Sequence, residues 1–236
     1  MENIKYILWD IDGTLIDFGY AEKAGLKMCF KEFELGELTD DMLEQYKKIN
    51  HSYWERFERG EISIQETLEG RFTDLFNMHG YDTQIVPKFN EEYQIKMGSV
   101  AKYNPNAENV VKELKSKYKQ YAATNGTIEA QQRKLSKSGL NKLLDGFFIS
   151  GEIGYNKPSI EYFEEIFRRV GNRNLEEYII IGDSLTSDIL GGKKVGIKTC
   201  WYNPNMKENN YDYSPDYEIR DLLEVTELLR NSELIY

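Results

Sequence analysis

The 236-residue sequence holds only two cysteines and two histidines. Cys29 and Cys200 have neither the number nor the spacing of a disulfide framework or a thiolate metal site. Both fall within apolar patterns and read as buried, inert thiols. His51 and His79 stand apart in the chain, which leaves a histidine-rich metal centre or a Ser–His triad without support. No apolar run approaches the ~18 residues of a membrane span. The N-terminus enters a strand pattern with no basic-then-apolar signal ahead of it, so the cytoplasm is the expected location. Forty acidic residues outnumber thirty basic ones, and the net charge is −10. Nucleic-acid polymers and anionic membranes select basic surfaces, so neither is expected as a partner. A small phosphorylated molecule stays open, because a cation and a lysine can reverse the field inside one cleft.

The most informative segment is Asp10-Ile11-Asp12-Gly13-Thr14-Leu15, directly after the apolar run Ile4-Lys5-Tyr6-Ile7-Leu8-Trp9. The run reads as a buried strand that delivers two acids to a loop at its carboxyl end. In open α/β sheets ligands bind at that end. One of two carboxylates so placed can serve as nucleophile or metal ligand and the other as general acid/base. Read alone, the segment is equally a strand-to-turn junction, where Asp and Gly are favoured.

From about residue 18 to 97 the spacing is helical throughout. Met42, Tyr46, Ile49, Tyr53 and Phe57 recur at three and four residues, as do Ile64, Leu68, Phe72, Leu75 and Phe76, then Val86, Phe89, Tyr93 and Met97. Ala21, Ala24, Met28 and Cys29 mark a weaker first helix. Gly36, Gly60 and Gly80 supply stops. Four helices form a small bundle, inserted after the first strand. After Asn104-Pro105, helices alternate with short apolar strands: a helix near 106–117, a strand at 119–124, a weakly patterned helix at 127–138, and a strand at Phe147-Phe148-Ile149. Ile160 to Val170 reads as a helix, Tyr178 to Ile181 as a strand, Leu185 to Val195 as a helix and Ile197 to Trp201 as a strand. A last helix carries Leu222 to Leu229, and 203–214 reads as a surface loop. This alternation predicts an α/β fold with a doubly wound, parallel Rossmann-like sheet. The expected division is a core of residues 1–17 and 98–236 and a helical-bundle cap of residues 18–97.

Four strand ends carry polar groups: Asp10-Ile11-Asp12, Thr124-Asn125-Gly126, Lys157-Pro158, and Gly182-Asp183 with Asp188 five positions on. Singly, the second is a turn, Lys157 a solvated lysine, and the last acids helix-start residues. Together they share one face of a parallel sheet. Gly191-Gly192 inside a helix predicts close approach to a neighbour.

In this order the four segments resemble the motifs of the haloacid dehalogenase-like (HAD) hydrolase superfamily, from residue 10 to 188. The insert resembles that superfamily's helical cap of the first class. Ser187 to Gly192, Thr199 to Trp201, Tyr53-Trp54 and the Asn-Gly of the second motif resemble the branch of house-cleaning pyrimidine 5′-nucleotidases. The resemblance implies a Mg²⁺-dependent phosphatase acting through an aspartyl-phosphate. It makes Asp10 the nucleophile and Asp12 the general acid/base. Mg²⁺ would take Asp10, Asp183 and the backbone carbonyl of Asp12, with Asp188 reaching it through water or supporting its ligands from behind. Thr124 and the amides of Asn125 and Gly126 would hold phosphoryl oxygens, and Lys157 would add fixed charge. Phe18, Tyr20, Tyr53 and Trp54, with Phe57, are the candidates for substrate choice, although core packing accounts for most such aromatic stripes.

The implied substrate is a nucleoside 5′-monophosphate, most naturally a pyrimidine one. A sugar-phosphate phosphatase or a β-phosphoglucomutase-like enzyme shares all four motifs. A phosphonoacetaldehyde hydrolase would need a Schiff-base lysine in the cap, where Lys23 is the only early candidate. A 2-haloacid dehalogenase does not use the metal set around Asp12 and Asp183. A non-catalytic phosphate-binding protein would have no use for both Asp10 and Asp12. The sequence is compatible with a monomer or a dimer.

Overall fold

The computed structural model describes residues 3–230; residues 1–2 and 231–236 of the expected core segments lie outside it. Strand β1 (Tyr6–Trp9) leads into four long helices, α1 (Phe18–Glu32), α2 (Asp40–Glu58), α3 (Ile64–His79) and α4 (Val86–Gly98). Then follow α5 (Ala107–Leu114), β2 (Lys119–Thr124), α6 (Ile128–Ser138), a short α7 (Leu140–Leu143), β3 (Gly146–Ile149), a short α8 (Ser150–Ile153) and α9 (Ile160–Val170). Strand β4 (Tyr178–Gly182) precedes a π-helical turn (Leu185–Ile189), α10 (Leu190–Val195), β5 (Lys198–Tyr202), β6 (Tyr217–Ile219) and α11 (Leu223–Arg230).

The strands form one parallel sheet in the order β3-β2-β1-β4-β5-β6. Alternation along each strand sends side chains to opposite faces. Ile7 and Trp9 of β1 and Ile179 and Ile181 of β4 pack in one cluster with Val110, Val111, Leu135, Val225 and Leu229. Leu8 and Ile180 pack on the other face with Phe163, Ile166 and Phe167 of α9. Helices on both faces explain why these strands read as continuous apolar runs. β1 and β4 are central neighbours in register, Trp9 opposite Ile181, so the acids that follow each strand emerge side by side.

The four helices after β1 bury a third cluster, with Phe30, Phe72, Phe76, Phe89 and Tyr93 packed edge to face. Helix α3 starts at a capping box, in which Ser63 and Glu66 satisfy each other's backbone amides, a device worth about 1 kcal/mol. The two connections into this bundle run side by side. Ile16 bridges Tyr103 in antiparallel fashion. The Asp17 amide donates to the Lys102 carbonyl, and the Asn104 amide to that of Leu15. The Asn104 side chain donates to the carbonyls of Gly13 and Thr14.

The segment read as one helix from 185 to 195 opens with the π-helical turn. Strand β6 and the short α7 and α8 escaped the sequence pattern, because three or four residues give too few repeats to show a period. Gly191 and Gly192 do mark a close approach. A Cβ on Gly192 would stand 2.6 Å from Thr199 Cγ2 and 2.7 Å from Ile180 Cγ2. Gly192→Ala therefore overpacks the sheet–helix interface. The expected loss is about 1–3 kcal/mol, read as a lower denaturation midpoint, and an unchanged midpoint would show that α10 can shift freely.

Candidate active site

Asp10, Asp12, Thr124, Asn125, Gly126, Lys157, Asp183 and Asp188 all line one cleft of about 480 Å³ between the sheet's carboxyl edge and the helical bundle. At its floor lies the Lys157 ammonium, almost wholly buried. It donates to Asp10 Oδ1 at 2.8 Å, Asp188 Oδ1 at 2.6 Å and the Ala123 carbonyl at 2.6 Å. Three acceptors match the three protons of an ammonium. Burial works against the charge on Lys157, but the Asp10 and Asp188 carboxylates outweigh it and raise its proton affinity.

Lys157 is aimed by the second motif. The Asn125 side chain donates to the Lys157 carbonyl and accepts from the Lys157 amide, both at 2.9 Å. Thr124 is buried at the end of β2. The Gly126 amide donates to Ser150 Oγ at 3.0 Å, so Ser150 of α8 occupies a donor assigned above to a phosphoryl oxygen.

Asp10, Asp183 and Asp188 each offer a carboxylate oxygen, and these oxygens lie within 4.8 Å of one another. Thr14 Oγ1 stands 3.1 Å from Asp10 Oδ2 and 3.4 Å from Asp183 Oδ1, within donating reach of either. Gly13 makes the approach feasible, since it has φ +98° and a Cβ there would meet the Asp183 carboxylate at 2.6 Å. Burial pushes Asp10 up to about 7 despite Lys157, with Asp188 adding to the rise. Burial, then Asp10 and Asp188, push Asp183 well above the usual carboxylate range. Three clustered carboxylates beside one ammonium leave negative charge uncompensated. An all-oxygen, acid-rich donor set of this kind fits a hard divalent cation such as Mg²⁺. Asp188 is the most committed of the three, its Oδ2 also accepting from the Ser184 amide at 3.2 Å.

Asp12 is held differently. Gln131 Nε2 donates to its Oδ2 at 2.7 Å, and the fully buried Lys134 pairs with its Oδ1. Both come from α6, the helix whose apolar pattern is weak. The signal lay in that weakness: the buried face carries Ala130, Gln131, Lys134 and Leu135, with polar residues at two positions where a core would be apolar.

Of the aromatic candidates, Phe18 and Trp54 line the cleft. Tyr20 does not; it is half exposed beneath the Lys102 ammonium. Tyr53 turns outward, its hydroxyl donating to Asp74 at 2.9 Å. Phe57 packs on Trp54. The loop read as surface contributes Lys207, Glu208, Asn210 and Tyr211 to the cleft, and the bundle contributes His51, Arg71 and Gln94. Glu58 at the end of α2 accepts from Thr186 Oγ1 at 2.5 Å, joining the bundle to the loop after Asp183.

A parallel sheet with acids at its central strand ends, a buried lysine and an inserted helical bundle is the arrangement expected of the haloacid dehalogenase-like hydrolases. Residues 7–202 match the haloacid dehalogenase-like hydrolase model. The chain is 35% identical to the HAD-hydrolase YfnB of Bacillus subtilis over 229 residues, covering 97% of each. A magnesium-bound crystal structure of YfnB superposes with a TM-score of 0.91, over 96% of this chain and 99% of that one. Pyrimidine 5′-nucleotidase PynA of Streptococcus pneumoniae is 34% identical over 224 residues, or 93% of this chain and 94% of its own. Pyrimidine 5′-nucleotidase YjjG of Escherichia coli is 28% identical over 95% of this chain and 97% of its own. The chain belongs to the haloacid dehalogenase-like hydrolase family, and it is an enzyme. Among the described residues no helix is long and apolar enough to cross a membrane.

One carboxyl group in the bundle should be visible in stability. Glu22 is buried and accepts from Asn50 Nδ2 at 3.1 Å. Burial pushes it up to about 7, against the pull of Arg71 and Lys47. The folded state thus holds this proton more tightly than the unfolded chain, whose value is near 4.5. Stability is greatest below the unfolded value and falls as pH rises toward 7. Glu22→Gln should remove on the order of 2–3 kcal/mol of that fall. Denaturation at pH 5 and pH 7.5 checks this, and parallel pH curves for the two proteins would refute it.

Proposed function

We propose that the protein is a Mg²⁺-dependent phosphatase of small phosphomonoesters, acting on pyrimidine nucleoside 5′-monophosphates, with residues 18–97 serving as the cap domain. The observation that carries the chemistry is the Lys157 ammonium seated between Asp10 and Asp188, with Asp183 completing the acid cluster. The substrate class rests on the similarity to PynA and YjjG along almost their whole lengths.

Asp10 attacks phosphorus, the bond from phosphorus to the leaving oxygen breaks, and an aspartyl-phosphate forms. Asp12 gives a proton to the leaving oxygen and takes one from the water that then cleaves the acyl phosphate. Gln131 and Lys134 fix its carboxylate between these tasks. Lys157 offsets charge on the transferred group, and Asn125 holds Lys157 in line. Thr124 and the Asn125 amide border the phosphoryl position, the Gly126 amide being held by Ser150. A divalent cation held by Asp10, Asp183 and Asp188, with the Asp12 carbonyl, would supply charge neutralisation. The bundle and the 203–214 loop close over the leaving group and exclude water.

Asp10→Asn keeps the size of the side chain and removes the nucleophile. Phosphate release from UMP should fall at least about a thousandfold, with the circular dichroism spectrum unchanged; turnover near the wild-type rate would refute the role of Asp10. Exhaustive chelation should abolish release and added Mg²⁺ restore it. Full activity in the chelated protein would overturn the metal requirement.

A further inference from the structure

Arg71 of α3 is only 2% exposed, yet it lines the cleft. Its Nε donates to the Leu68 carbonyl at 3.2 Å and its Nη1 to Asn50 Oδ1 at 2.7 Å, while Nη2 lies 3.5 Å from Asn90 Oδ1. A guanidinium has five N–H groups. Two, one on each terminal nitrogen, are left without an acceptor among the described residues. The guanidinium carbon also lies over the Phe72 and Tyr93 rings, 4.9 and 5.3 Å from their centroids. The amides that steady it are steadied in turn. Asn50 donates to Glu22, Asn90 accepts from Gln94, and Gln94 accepts from Thr127 at the start of α6. A buried, rigid cation with unspent donors at the wall of a cleft is built to receive an acceptor.

The surroundings specify what kind. Besides the acids at the floor, the cleft is lined by Glu55, Glu58 and Glu208 against Lys207 and Arg71, so the leaving side has no excess of positive charge to bind a second anionic group. Phe18, Trp54, Leu68 and Met97 supply apolar and aromatic surface around Arg71. The complement is a neutral, planar group with a carbonyl edge. Sugar hydroxyls can accept a hydrogen bond but do not offer a flat apolar face.

We propose that Arg71 is a specificity residue that donates to the exocyclic carbonyl of a pyrimidine base, the O2 shared by uracil, cytosine and thymine, with Phe18 and Trp54 bordering the ring. This rests on the nucleotidase reading and adds to it the residue that reads the base.

The test compares UMP, 2-thio-UMP and p-nitrophenyl phosphate on the Mg²⁺-loaded wild type, Arg71→Lys and Arg71→Met. Sulfur at position 2 is a poor acceptor, and the nitrophenyl ester has no base. Arg71→Met should lower kcat/KM for UMP roughly 10- to 100-fold, and change that for p-nitrophenyl phosphate less than about 3-fold. The wild type should lose a similar factor on 2-thio-UMP, and Arg71→Met should no longer distinguish the two nucleotides. Arg71→Lys should recover part of the loss. Equal losses on all three substrates would make Arg71 a merely structural residue and overturn the inference, leaving the nucleotidase reading intact. If Arg71→Met fails to fold, equal wild-type turnover of UMP and 2-thio-UMP alone overturns it. A wild type that cleaves p-nitrophenyl phosphate but no pyrimidine nucleotide would overturn both.

Discussion

The site is organised around one buried ammonium. Lys157 is surrounded by Asp10, Asp188 and the Ala123 carbonyl, each within 2.8 Å of its nitrogen. A lone charge at that depth would be prohibitively unfavourable, and so would three clustered carboxylates without it. Each makes the other tolerable, although the balance stays negative. The fold serves this arrangement. Adjacent central strands bring Asp10 and Asp183 to one edge, Asn125 grips the backbone of Lys157 from the next strand, and the glycines at 13 and 182 leave room for carboxylates where side chains would collide.

Much of this was legible in the sequence, for identifiable reasons. A fully buried parallel strand must be apolar on both faces, so Tyr178 to Ile181 stands out. A polar residue at its carboxyl end is conspicuous against that background. Helices α3 and α9 announce themselves through period and caps. Legibility ends where a function depends on contacts distant in sequence. Lys134 sits in an unremarkable helix, and only folding shows that it reaches Asp12, 122 residues away. Arg71 sits in a segment whose apolar residues define a helix, so a charged neighbour reads as solvated although its guanidinium is internal. The 203–214 loop is polar by composition, but composition does not reveal which surface a loop covers.

The aromatic residues make the same point in the opposite direction. Phe18, Tyr20, Tyr53 and Trp54 are indistinguishable as ring-bearing residues near the loop after β1 or on a helix. Helical phase separates Tyr53 from Trp54: adjacent positions on a helix point about 100° apart, so one faces the cleft and the other reaches Asp74 on the outer side. The polar chain from Glu22 through Asn50, Arg71, Asn90 and Gln94 ends at Thr127, the N-cap of α6. The same helix carries Gln131 and Lys134. Arg71 and Asp12 thus share a continuous hydrogen-bonded framework.

The paired connections between Leu15–Asp17 and Lys102–Asn104 set the freedom of everything above them. Two chains laced by hydrogen bonds form a ribbon. A ribbon flexes across its flat faces far more readily than it stretches or shears along its bonds. The bundle is also tied to the sheet side through Gln94 with Thr127 and Glu58 with Thr186, so a swing at the ribbon would part both of those hydrogen bonds together.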